Sequence, residues 1–186
     1  RNGLVLREIA PLGKRTYIGL DQMPKSLREA TIAVEDKDFY RNAGVDIAGI
    51  ARAVEGVLTG DRLGGGGSTL TQQLVRNIAF SDEERFARSY KRKAKEIVLS
   101  LILTRRHEKD QILEWYLNEV YYGNLAYGVE AAARTLFDKP AAELDLAEAA
   151  LIAGLPQAPG SYDPLSADPS IQAKVRERQT IVLGRM

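Results

Sequence analysis

Two acidic positions and one glycine-rich turn carry the chemistry available to this chain. Glu35 and Asp36 stand close to Phe39 and Tyr40. A carboxylate beside aromatic rings can be raised towards the neutral range that a general base needs. An acidic pair at a helix end also reads as solvated surface. Glu96 follows Arg92 by four residues and Lys93 by three, with Arg88 one turn further back. Pairs at that spacing add only about 0.2–0.5 kcal/mol each to a helix. The functional alternative is that Arg88, Arg92 and Lys93 receive a diphosphate while Glu96 orients them. Two carboxylates can also flank an anomeric carbon, as glycoside chemistry requires.

The turn is Gly64-Gly65-Gly66-Gly67-Ser68-Thr69, running into Leu70-Thr71-Gln72-Gln73-Leu74-Val75-Arg76-Asn77. Thr69 and Gln72 have the spacing of a capping box. Leu70, Leu74 and Ile78 fall on one helical side, and Gln73, Arg76 and Asn77 on another. Glycines let a ligand approach the backbone, and a helix N-terminus favours anions. The spacing is not that of a P-loop, because no Lys-Ser/Thr pair follows the last glycine. By itself the segment is a surface loop capped by a helix.

Composition narrows the options. The chain has 186 residues, 45% hydrophobic, with a formal net charge of +1. That is enough for one domain with a real core. Cysteine is absent, which excludes disulfides, thiol catalysis and thiolate metal sites. A single histidine, His107, excludes a two-histidine metal site. Charge is uneven: nine basic residues lie between Arg85 and Lys109, opposed only by Glu96 and Glu108. Such a stripe attracts phosphate, anionic lipid or nucleic acid. No recognised nucleic-acid motif or interleaved aromatic accompanies it, so no nucleic-acid partner is expected. No apolar run approaches the roughly 20 residues of a membrane span. The chain lacks a membrane anchor of its own and reads as a domain excised from a longer protein.

The elements that must position these residues are mainly helical. Residues 1–22 suggest a short hairpin or an extended arm. Ser26 with Glu29 predicts a capped helix from Leu27 towards Asp38. Asp46 caps a helix whose Ile47, Ile50, Ala51, Val54 and Leu58 share one side, ended by Gly60. Ser81 with Glu84 predicts the cap of a long helix burying Phe86, Tyr90, Ala94, Ile97 and Leu101. Further helices are predicted around 109–118, 126–137, 146–153 and 170–185, the last with Asp168 as cap and Pro169 at its first position.

Five segments, in order, resemble the signatures of the peptidoglycan glycosyltransferase domain of class A penicillin-binding proteins and monofunctional transglycosylases. They are residues 35–44 (Glu35-Asp36-Lys37-Asp38-Phe39-Tyr40-Arg41-Asn42-Ala43-Gly44), residues 66–74 with their Ser68-Thr69 and Gln72-Gln73 pairs, Arg92-Lys93-Ala94-Lys95-Glu96, residues 112–118 ending in Leu117-Asn118, and Gly128-Val129-Glu130-Ala131-Ala132-Ala133. The resemblance covers residues 1–186 as a single domain. It implies a mainly α, lysozyme-like, two-lobed helical fold with a short N-terminal extended arm, a cleft between the lobes, and a smaller lobe that meets the membrane surface.

The activity it implies is polymerisation of lipid II into β-1,4 glycan strands, with inversion and release of undecaprenyl diphosphate. The parent protein would sit at the extracytoplasmic face of the cell membrane, with a possible transpeptidase domain. By the same resemblance Glu35 is the general base and Glu96 the donor-side acid. Arg76, Arg88, Arg92 and Lys93 neutralise the leaving diphosphate. Asp36, Ser68, Thr69, Gln72 and Gln73 bind substrate, and Asn118 and Glu130 support the cleft. Magnesium (Mg2+) or another divalent cation is implied, and no organic cofactor.

The chain departs from the family pattern at several positions. Asn42 stands where histidine is usual, Gly65 where glutamine is, and Arg76 where lysine is common. Thr104 and Asp138 replace a frequent acid and a frequent glycine. A lysozyme-like hydrolase and a catalytically impaired glycan-binding relative are the competing readings. Cations facing Glu35 would favour the transferase over a hydrolase.

Overall fold

A computed structural model describes residues 14–52, 68–86 and 89–186. Expectations for residues 1–13, for Val54, Leu58 and Gly60, for the Gly64–Gly67 turn and for Arg88 lie outside the described residues, as does the Phe86 side chain.

Eight helices are named along the described chain: α1 (Lys25–Glu35), α2 (Leu70–Ala79), α3 (Asp82–Phe86), α4 (Tyr90–Arg106), α5 (Lys109–Glu119), α6 (Val129–Phe137), α7 (Leu146–Gly154) and α8 (Pro169–Arg185). A further helical stretch covers residues 47–52. Two short strands, β1 (Lys14–Arg15) and β2 (Ala126–Tyr127), pair in parallel with Lys14 opposite Ala126. The mainly α fold follows the prediction. Among the described residues the arm is extended and pairs with β2.

Two apolar clusters organise the helices. The larger joins Leu27 of α1, Leu70 and Leu74 of α2, Leu113 and Leu117 of α5, and Ala132 of α6. The smaller joins Ala30 and Val34 of α1 to Ala150 and Ala153 of α7 and Val182 of α8. Helix α1 therefore sits between two cores, with Glu35 at its C-terminal end. Burial on both sides leaves that end little freedom to move.

All but one of the predicted N-caps form. The Thr69–Gln72 box forms, with Gln72 N 3.2 Å from Thr69 Oγ1 and Thr69 N 3.0 Å from Gln72 Oε1. Asp168 accepts from Ser170 N at 2.8 Å with Pro169 opening α8. Asp46 accepts from Gly49 N at 2.8 Å. The Ser26–Glu29 box does not form. Pro24, with its fixed φ, is the N-cap instead, and its carbonyl takes the amides of Leu27 and Arg28. The Ser81–Glu84 box does form, but it caps only the five-residue α3.

Helix α4 corrects the predicted stripe. Its buried residues are Glu96 and Ser100, whereas Tyr90, Val98, Leu101 and Ile102 are exposed. The reason is electrostatic: a carboxylate surrounded by cations faces α2, turning the apolar side outward. Ile47 and Ile78 are likewise exposed rather than buried.

The arm is clamped by α5. Buried Asn118 accepts from Ile18 N at 3.0 Å and donates to Ile18 O at 2.9 Å, as a neighbouring strand would. One turn earlier, Glu114 accepts from Leu20 N at 2.8 Å and from the Tyr17 hydroxyl at 2.6 Å. Asn118→Leu leaves the Ile18 backbone groups unpaired, which costs about 2 kcal/mol. A lower urea midpoint with an unchanged slope is the expected outcome.

Candidate active site

Glu35 ends α1 and is gripped from two directions. Gln73 of α2 donates its amide nitrogen to Glu35 Oε2 at 2.8 Å. The Tyr116 hydroxyl of α5 donates to Gln73 Oε1 at 3.2 Å, which fixes the amide so that its NH2 faces the carboxylate. Burial, then the charge of Glu35, pushes the Tyr116 phenol well above its ordinary value, so it stays a donor. On the other side Arg178 Nη2 of α8 lies 3.5 Å from Glu35 Oε1.

Asp36 has a different task. Its oxygens accept from Asn42 Nδ2 at 2.9 and 3.1 Å and from Leu70 N at 3.1 Å. It thus ties the end of α1 to the N-terminus of α2, where a helix favours an anion. Burial raises its pKa, and the donated hydrogen bonds recover only part of that rise. Asn42, where the family pattern has histidine, also accepts from Lys109 Nζ at 3.0 Å and from Gly44 N at 2.9 Å. Gly44 has φ +91°, and a Cβ there would lie 2.7 Å from the Ser100 carbonyl, so only glycine lets this turn meet α4.

Glu96 has no exposed surface on its side chain, and three cations converge on it. Arg76 Nε at 3.1 Å and Arg92 Nη1 at 2.8 Å reach Oε2, and Lys93 Nζ reaches Oε1 at 2.6 Å. Burial alone would raise its pKa; the Lys93 hydrogen bond and the Arg76 charge outweigh it and hold the carboxylate below its ordinary value. Among the described residues, three cations meet this one carboxylate. The cations themselves are 18–33% exposed and so remain accessible.

The two acids are joined through α2. Gln73 holds Glu35 and Arg76 holds Glu96, and residues three apart share one helix face. Ser68 completes the link: its hydroxyl accepts from Lys93 Nζ at 2.9 Å and from Arg76 Nη2 at 3.4 Å. Ser68 lines a cleft of about 840 Å³ together with Glu35, Asp36, Asn42, Thr69 and Arg185. Ser68 thus touches both the cationic cluster and the groove that Glu35 lines. This arrangement can take a proton at one end and stabilise an anion at the other.

Other predicted site residues serve as supports. Thr69 and Gln72 are buried, and Thr69 Oγ1 also donates to Gly44 O at 2.7 Å, so they fasten the start of α2 to Gly44. Asn118 is bonded to Ile18 and to the Glu114 carbonyl. Glu130 accepts from Arg134 Nε at 2.6 Å and from Ala141 N at 2.8 Å, bracing the end of α6. Asp138 occupies the left-handed C-cap of α6, with φ 56°, in place of the glycine frequent in the family.

Three residues that the sequence reading did not single out for the site belong to it: Tyr116, Lys109 and Arg178. Arg178 carried a signal, since Val175 and Val182 flank it at core spacing and a charge in such a stripe calls for a partner.

Among the described residues no three acidic or histidine side chains gather where a metal could bind. Glu35, Asp36 and Glu96 are each taken up by nitrogen donors. These residues do not form a protein-built magnesium site.

The Glu96 cluster gives stability a defined pH dependence. A carboxylate whose pKa is depressed on folding stabilises above its unfolded value, here 4.5, and loses that contribution as pH falls through the folded value. Glu96→Gln removes the carboxylate that three cations share and is expected to cost about 3 kcal/mol at pH 7. In thermal melts the gap between wild type and variant should close as the pH drops below 4.5.

Comparison with known proteins identifies the family. The family profile described as transglycosylase matches residues 2–186. Penicillin-binding protein 1A of Mycolicibacterium smegmatis is 43% identical over 86% of the chain, and that of Rickettsia bellii 42% over 100%. Penicillin-binding protein 1F of Bacillus subtilis is 40% identical over 92%. The chain spans only 20%, 23% and 23% of these relatives. A crystal structure of penicillin-binding protein 1A from Haemophilus influenzae superposes with a TM-score of 0.50 and 26% identity, covering 94% of this chain and 15% of that one. A profile match over residues 2–186, with relatives above 40% identical across most of the chain and a mainly helical fold, means that the chain belongs to the transglycosylase family, a family of glycosyltransferases.

Proposed function

We propose that this domain polymerises lipid II into β-1,4-linked peptidoglycan, with Glu35 as the general base. The observation that carries the reading is the linkage through α2, which sets Gln73 on Glu35 and Arg76 on Glu96. Glu35 takes the proton of the acceptor 4-hydroxyl as that oxygen attacks the anomeric carbon from the face opposite the leaving group. The bond from that carbon to the diphosphate oxygen breaks, its electron pair leaves with undecaprenyl diphosphate, and the configuration inverts. Arg76, Arg92 and Lys93 meet the charge that develops on the diphosphate, and Glu96 holds all three in place. Arg88 is assigned the same part by resemblance alone. Ser68 and Gln73 touch the donor, while Thr69 and Gln72 cap α2 directly after Ser68.

A divalent cation would ride on the diphosphate of the donor. A hydrolase would have no use for three cations at the far end of the groove, which favours transfer over hydrolysis. In the parent protein the domain would work at the outer face of the cell membrane, next to a transpeptidase domain. No helix among the described residues is long and apolar enough to cross a membrane. Contact with the bilayer would come from α4, where exposed Val98, Leu101 and Ile102 lie between Lys91, Lys95, Arg105 and Arg106.

Two experiments test these assignments. Glu35→Gln should lower polymer formation from purified lipid II by at least about 1,000-fold with an unchanged circular dichroism spectrum; near-normal polymer would refute the base. Val98→Asp with Ile102→Asp should release the domain from anionic vesicles in a sedimentation assay. Undiminished binding would place the membrane contact elsewhere.

A further inference from the structure

Arg178 takes no part in the chemistry outlined above, yet it is withdrawn from water beside the base. Its side chain is 9% exposed and that of Glu35 11%. A guanidinium so buried requires an opposite charge nearby. Its Nη2 lies 3.5 Å from Glu35 Oε1, while its Nε donates to the Gly154 carbonyl of α7 at 3.2 Å. One edge of the planar fork is thus fixed by backbone and another faces the carboxylate. Gly154 makes the room. A Cβ there would sit 3.0 Å from Arg178 Cγ and 3.4 Å from Val182 Cγ2.

The same side of α8 reaches α1 a second time. Arg185 Nη1 donates to Val34 O at 3.2 Å, at the helix end where carbonyls carry partial negative charge. Between the two arginines Val182 is fully buried against Ala30 and Val34. Residues 178, 182 and 185 share one face of α8. Two guanidinium groups and a valine therefore brace the last turn of α1.

We infer that Arg178 is a positioning residue for the base, and that α8 with Arg185 fixes which lone pair of Glu35 faces the cleft. The inference rests on Glu35 being the base. Gln73 holds Oε2 from α2 and Arg178 holds Oε1 from α8, so the carboxylate plane is set from both sides. With Arg178 removed, Gln73 alone cannot stop the carboxylate from turning.

The test compares Arg178→Met, Arg178→Ala and Gly154→Ala in the full chain, using lipid II polymerisation. Arg178→Met should lower kcat about 10- to 100-fold while the lipid II KM stays within about twofold. Added guanidinium should recover part of the rate lost in Arg178→Ala and do nothing for wild type. Gly154→Ala keeps the charge but displaces the side chain, so it should also lower kcat; it decides the matter if the Arg178 variants do not fold. Wild-type kcat in folded Arg178→Met or in Gly154→Ala would overturn the inference, as would a rate that ignores guanidinium. An inactive Glu35→Gln beside a fully active Arg178→Met would sink only this inference. An active Glu35→Gln would sink the base assignment with it.

Discussion

A carboxylate without solvent exposure, gripped by three cations, joins α2 to α4 and touches the cleft through Ser68. Glu96 could not remain charged there alone, and Arg76, Arg92 and Lys93 would repel one another without it. Among the described residues the cations outnumber the acid. Each side of the cluster makes the other tolerable. This is why α4 turns a polar side inward and leaves Val98 and Ile102 in the open.

The other acid is held by a contrasting set of contacts. Glu35 meets one amide and one guanidinium, and each carboxylate oxygen retains a lone pair beyond the one so used. Asp36, its neighbour in sequence, is tied by Asn42 and the Leu70 amide instead. Adjacent carboxylates therefore differ in their ties: both line the groove, but Asp36 also fastens two helices. Helix α2 couples both ends, because Gln73 and Arg76 are a single helical step apart. A shift of that helix would disturb base and cations together.

Much of this was legible beforehand where local rules and function coincide. The Thr69–Gln72 box, the Asp168 cap with Pro169 and the polar side of α2 all rest on short-range spacing, and all appear. The i−4 and i−3 relation of Arg92 and Lys93 to Glu96 also appears as direct ion pairs. The apolar stripe of α4 was misread because periodicity finds the hydrophobic face without revealing whether a core lies opposite it. The Ser26–Glu29 box failed because Pro24 set the helix start first.

Sequence by itself determined the helical elements, the order of the signatures and the residue types that can supply a base and cations. These are local properties, written in spacings of three or four residues. Only the tertiary structure decided which cations face which acid, that Asn118 clamps the arm at Ile18, and that Arg178 comes from α8 to sit against Glu35. Glu35 and Arg178 are 143 residues apart. Contact between them depends on how helices stack and how much water that stacking excludes, which no local pattern encodes.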